Sequence, residues 1–393
     1  MRVGTLLIVA PAAKLCSWCE GGACDPECTP KKVQFATSIS DDVQRTFPYW
    51  IAEDSGVTLQ SEQVHPKVEL AVLMHHGAAR NGNDYLCSMF NSVKQQFGAV
   101  YAAQRAVVFA PQVFFPEDNP GGGELYWDDE GSHSWAWGGN STKELPASIA
   151  SFEVYDEMLL ALSNRTRFPN LKHLIVAGHS AGGQVMQRYA LANRVDEDLG
   201  AAGLKPRYFP ANPSSWTYLD AQRPVLPEKV ECGDFCDNKT IAGTVYRFAA
   251  SPSGGGRGCK GYNEYGYGLD GVTVPYVQAR GVETMLKLYP GRDVTYLSGS
   301  SDICNKPLQT ERECLSCKVD DGGLDTSCGG LSQGWCRMER AHAFAQHVQA
   351  HYKNASVHRL LAVPHVGHNG CAMVQSPEAR EAMFGHITTS VVV

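Results

Sequence analysis

A chain of 393 residues, 43% of them apolar, can close one large core with insertions, which excludes a disordered protein. Its formal net charge of -7, with no Lys/Arg run, excludes a nucleic-acid partner and favours a small or neutral substrate. The 14 cysteines are even in number and show no zinc-ribbon spacing with histidine partners, so they read as the disulfides of an exported protein rather than as metal ligands.

In chain order, Arg2 precedes an apolar stretch, Val3 to Ala13, of signal-peptide length and too short to span a bilayer. Residues 1–23 are therefore expected to be a signal peptide, with Ala10-Pro11-Ala12 and Gly21-Gly22-Ala23 as alternative cleavage sites. Sequons at Asn140, Asn164, Asn238 and Asn354 agree with a secreted, extracellular glycoprotein. No other run approaches a transmembrane helix. Residues 24–67 read as a Cys-rich N-terminal arm and first strands.

Residues 68–393 carry the regular alternation. Val68 to Met74 (VELAVLM) is a short apolar strand ending in His75-His76-Gly77, and Asp84 to Phe97 has helical spacing. Arg105 to Ala110 is the next strand. The loop from Pro111 to Asn140, with Tyr126, Trp127, Trp135 and Trp137, is too aromatic for a linker and is expected to wall a pocket. Ser148 to Leu162 is helical. Lys172 to Ala177 (KHLIVA) is a buried strand running into Gly178-His179-Ser180-Ala181-Gly182, before a helix to about Asn193. After a strand at Tyr208 to Ala211, the proline- and glycine-rich stretch of about 212–271 reads as a cap insertion, and about 304–336 as a second, Cys-rich insertion. Between and beyond them lie a strand at Val294 to Leu297, a helix at Met338 to Tyr352, a last strand at His358 to Val363 and a helix at Pro377 to Phe384. Such alternation implies a mostly parallel sheet flanked by helices, with its site beyond the carboxyl ends of the strands.

The chemistry centres on Gly178 to Gly182, a G-x-S-x-G pattern set between an apolar strand and a helix. A serine hydroxyl is a poor nucleophile unless it is exposed on a strained turn beside a base. Here the chain resembles the α/β-hydrolase superfamily from about Val68 to the last helix, with its motifs in the order nucleophile, acid, histidine. The resemblance implies Ser180 as nucleophile. It implies Asp302 as the acid, because Val294 to Asp302 runs as a strand, a glycine and then an acid; Asp320, Asp321 and Asp325 are rivals in the Cys-rich insertion. The histidine belongs after the last strand, where His368 is preferred to His365, and His179 is set aside because it neighbours the nucleophile on a sharp turn. Ala181 is expected to supply one backbone N–H to an oxyanion hole, with Gly77 or Ala78 of the His-Gly loop supplying the other. Arg80 and Asn81 order that loop, touch substrate or form a solvated turn.

The resemblance thus implies hydrolysis of a small-molecule or polymeric carboxylic ester, without cofactor or metal. A serine peptidase or amidase uses the same groups, and a non-catalytic binding protein on the same fold is the alternative from another class.

Overall fold

The computed structural model describes residues 28–40, 43–128, 134–142, 148–227, 238–303, 323–353 and 355–388. The signal-peptide expectation, Asp320, Asp321 and the Asn354 sequon lie outside them. Among the described residues ten strands are formed: β1 Pro30–Ser40, β2 Val43–Ala52, β3 Leu70–His75, β4 Ala106–Pro111, β5 His173–His179, β6 Pro206–Ala211, β7 Arg223–Pro224, β8 Phe248–Ala249, β9 Asp293–Gly299 and β10 Arg359–Val363. Eight of them make one sheet in the order β1-β2-β4-β3-β5-β6-β9-β10, while β7 and β8 pair separately.

From β4 to β10 every neighbour is parallel, and at one edge the β1–β2 and β2–β4 pairs are antiparallel, so β2 alone runs against the rest of the sheet. Burial explains the division. In β3 and β4 every residue is buried, as continuous apolar strands covered on both faces must be. β1 instead alternates, Phe35 and Thr37 inward and Gln34, Ala36 and Ser38 outward, as a half-solvated edge does.

Successive residues of β3 serve opposite faces. Leu70, Val72 and Met74 join the core made with helices α1 (Gly82–Phe97), α5 (Gly370–Gln375) and α6 (Pro377–Phe384). Ala71 and Leu73 join the core made with α2 (Ser151–Ser163), α3 (Ala181–Ala192) and α4 (Arg337–His351). The sheet is therefore a middle layer between two helical layers. The chain leaves β3 for β4 on one side and returns to β5 on the other, so the carboxyl ends of β3 and β5 form the topological switch point.

The stretch after β6 begins inside the core. Trp216 is fully buried and stacks on Phe344 of α4, with ring centroids 4.7 Å apart. Three buried arginines hold the irregular backbone nearby, whose carbonyls have no ladder partners. Arg188 donates to Gly266 O at 2.7 Å, Arg223 to Tyr262 O at 2.8 Å and Tyr267 O at 2.9 Å, and Arg340 to Gly334 O and Asp325 O, each at 2.9 Å. Disulfides Cys28–Cys87 and Cys259–Cys328 cross-link the arm to α1 and the two insertions to each other. Among the described residues no helix is long and apolar enough to cross a membrane.

Candidate active site

β5 ends at His179 and α3 begins at Ala181, leaving Ser180 alone in the turn with φ 60° and ψ −121°. That backbone is costly for a residue with a side chain and is held by contacts on both sides. Ser180 N–H donates to Ala211 O of β6 at 2.9 Å. A Cβ on Gly178 would lie 2.4 Å from Gly182 O, and one on Gly182 would lie 2.4 Å from His76 O. Glycine at these two positions lets the elbow close against itself and against the end of β3.

The loop after β10 turns at His365, whose φ is 60°, and delivers His368 to the elbow. His368 Nε2 lies 3.0 Å from Ser180 Oγ, and its Nδ1 lies 2.8 Å from Asp302 Oδ2. Asp302 is buried in the turn after β9, its N–H bonded to Gly299 O at 3.0 Å. Burial alone would raise its carboxyl pKa, but His368 and Arg337 beside it hold it below the ordinary carboxylate value. The ionised carboxylate accepts from His368 Nδ1–H, so Nε2 is left to accept the Ser180 hydroxyl proton. Arg337, the first residue of α4, places Nη1 3.5 Å from Asp302 Oδ1, both side chains being buried. No local pattern marks that arginine, because its partner belongs to a different strand end.

The other candidates stand outside this hydrogen-bond chain, Asp325 lining a cavity beside Ala78 and Ala181. The His365 backbone N–H donates to Ser300 Oγ, and Asp325 accepts from Tyr267 O–H at 2.8 Å. His179 is fully enclosed, bonds Tyr85 Oη through Nδ1 at 3.0 Å and packs under His368 with ring centroids 4.7 Å apart. Burial, then the neighbouring His368 and Arg337, push its pKa well down, so it stays neutral.

The His-Gly loop is organised by His76. Its Nε2 accepts from Val113 N–H at 3.0 Å, so the proton is on Nδ1, which donates to Gly77 O at 2.8 Å. Arg80 N–H donates to the same carbonyl at 3.1 Å. With two donors on Gly77 O, the planar trans peptide turns Ala78 N–H to the opposite side. Burial pushes His76 down to about 4, leaving the ring neutral in this role. Gly77 itself lies against Ser180: a Cβ there would be 3.3 Å from Ser180 Cβ. Arg80 orders the loop, reaching Asp118 Oδ2 at 2.6 Å and Glu117 Oε1 at 3.1 Å while lying over the Phe115 ring at 4.1 Å. Asn81 donates to Asp84 at 2.9 Å.

A cavity of about 520 Å³ opens along Ala78 and Ala181, walled by Phe115, Trp135, Trp137 and Gln184. Of the aromatic loop, Trp135 and Trp137 thus line a pocket. Trp127 does not: it is fully buried in the core and donates Nε1–H to Gly139 O at 2.9 Å.

No family model matches the chain, and no curated protein does. Among solved structures it is similar to a poly(3-hydroxybutyrate) depolymerase from Bordetella parapertussis, at 18% identity over 92% of each chain with a TM-score of 0.51. It is also similar to a poly(aspartic acid) hydrolase from Sphingomonas sp. KT-1, at 16% identity over 91% of this chain and 99% of that one, again with a TM-score of 0.51. At these identities the likeness is one of fold.

Proposed function

From the premise that this chain is an α/β-hydrolase by fold, we propose that it is a secreted serine hydrolase that cleaves carboxylic esters through an acyl-enzyme. The observation that carries the reading is the hydrogen-bond chain from Asp302 through His368 to Ser180 on the strained elbow. Ser180 Oγ attacks the ester carbonyl carbon as its proton passes to His368 Nε2, and Asp302 stabilises the imidazolium. The carbonyl oxygen becomes an oxyanion, held by N–H groups of Ala181 and Ala78. Ala78 is preferred to Gly77 because His76 and Arg80 orient its peptide from the carbonyl side. The C–O bond to the alcohol then breaks, His368 returns the proton to the leaving oxygen, and water repeats the sequence on the acyl-enzyme.

Export is supported by the disulfides Cys28–Cys87 and Cys259–Cys328 and by the exposed sequon residue Asn164. The aromatic wall of the cavity suits an apolar or polymeric ester. The acidic net charge of -7 speaks against a nucleic-acid substrate.

Labelling of the oxidised protein with a fluorophosphonate, followed by peptide mapping, tests the reading. Ser180 is expected to carry the label. Ser180→Ala should abolish labelling and lower ester turnover by a factor of about 10⁴ or more. A folded protein that neither labels nor turns over esters would leave a binding protein on the same fold. Labelling with turnover of amides alone would replace esterase by amidase.

A further inference from the structure

On α4, His347 and His351 are one helical turn apart and share a face. Facing them is Asp220, in the turn that follows the buried run Trp216 to Leu219. Asp220 Oδ2 lies 2.8 Å from His351 Nδ1, and Asp220 Oδ1 lies 3.8 Å from His347 Nε2. One donor atom from each residue lies within 4.8 Å of the other two. A tetrahedral Zn²⁺ with bonds of about 2.0–2.1 Å separates its donors by about 3.3 Å, so about an ångström of side-chain adjustment closes these three around an ion. Among the described residues, no second trio of His, Cys, Asp or Glu is so arranged.

We propose that Asp220, His347 and His351 bind a divalent transition-metal ion, for which two imidazoles and one carboxylate make Zn²⁺ the best match. The donors differ in rigidity. His347 is buried with its ring centroid 4.6 Å from that of Tyr218, whereas the side chains of His351 and Asp220 are 22% and 35% exposed. The ion therefore sits at the surface end of a fixed imidazole, with a solvent-facing position left for water. Leu219 N–H now donates to His347 Nε2 over 3.3 Å, a long bond that the metal displaces. Arg223 donates Nη1–H to Asp220 O at 2.9 Å, which orients the turn but adds a positive charge nearby. That charge argues for moderate rather than extreme affinity.

The role is structural. The ion clamps the turn after Leu219, in the insertion between β6 and β9, to the C-terminal end of α4, whose first residue, Arg337, touches Asp302. His347 lies about 15 Å along the helix from Arg337, outside the hydrogen-bonded group around Ser180.

Calorimetric titration of the chelator-treated, oxidised full chain with Zn²⁺, together with thermal unfolding with and without Zn²⁺, tests the site. One equivalent should bind in the micromolar range or tighter and raise Tm by several degrees. Asp220→Asn and His351→Gln, both at partly exposed positions, should each weaken binding at least tenfold. They should leave the metal-free Tm and simple-ester turnover close to wild type. No saturable uptake by the wild-type chain overturns the proposal. So does uptake unchanged in both variants, which would place the ion on other side chains, such as the paired His173 and His386.

Discussion

Asp302 and Arg337 form a buried ion pair at the base of the hydrogen-bond chain. An enclosed carboxylate with a single partner would tend to take up a proton. Two cationic or proton-donating neighbours reverse that tendency, and the carboxyl pKa falls below its ordinary value. Arg337→Gln removes one of them. Asp302 then takes up its proton at higher pH, and the acid side of the kcat/KM profile should move upward with little change in KM. A profile that keeps its acid midpoint while activity falls at all pH values would make Arg337 a packing residue only. The preference for Ala78 over Gly77 also belongs to this scale. Its evidence is the Val113 N–H that fixes the His76 tautomer, and Val113 follows β4, a neighbouring strand that no local pattern connects to the His-Gly loop.

The elbow is a property of two elements and the strand ends beside them. Ser180 holds φ 60° because β5 and α3 are each pinned independently, and the crossing is tight enough to exclude a methyl group at Gly182. Gly182→Ala should cost about 2–4 kcal/mol in urea unfolding and distort the His-Gly loop as well, since the clash is with the carbonyls of His75 and His76. Gly200→Ala is the control. Gly200 lies in the helix Asp196–Ala201 with nothing within 4 Å of a new Cβ, so the substitution should be neutral or stabilise by up to about 1 kcal/mol. Equal losses in both variants would mean that the close approach at Gly182 is not what limits the site. The elbow is legible in the sequence because strand, turn and helix are contiguous and each has its own periodicity. The division of the aromatic loop is not. Trp127 and Trp137 have the same local character, and only the packing of β2, α2 and the loop itself sends the first into the core and leaves the second at the pocket.

For the whole molecule, the disulfide Cys28–Cys87 closes a span of 59 residues and ties the start of the antiparallel edge to α1. Loop-closure entropy for that span is about 4 kcal/mol, so a Cys28→Ser/Cys87→Ser protein should lose about 2–5 kcal/mol in urea unfolding under oxidising conditions. An unchanged midpoint would show that the edge strands are held by pairing alone. The three buried arginines act on the same scale, since each satisfies carbonyls from segments distant in the chain.

The layered architecture follows from pattern along the chain. Apolar runs of strand length alternate with helical periodicity, and such runs can be buried only in a parallel sheet covered on both faces. Local pattern puts Ser180 at the end of β5, and the resemblance to the superfamily selects Asp302 after β9 and His368 after β10; on this topology the carboxyl ends of these parallel strands lie on one side of the sheet. Tertiary structure alone decided which groups come within hydrogen-bonding distance there. It brings Arg337 to Asp302, His76 to the Gly77 carbonyl, and Asp220 to His347 and His351. Each of these contacts joins segments whose neighbourhood, or whose side-chain direction, is set by packing. Periodicity reports which face a residue takes, and not what it meets across the core.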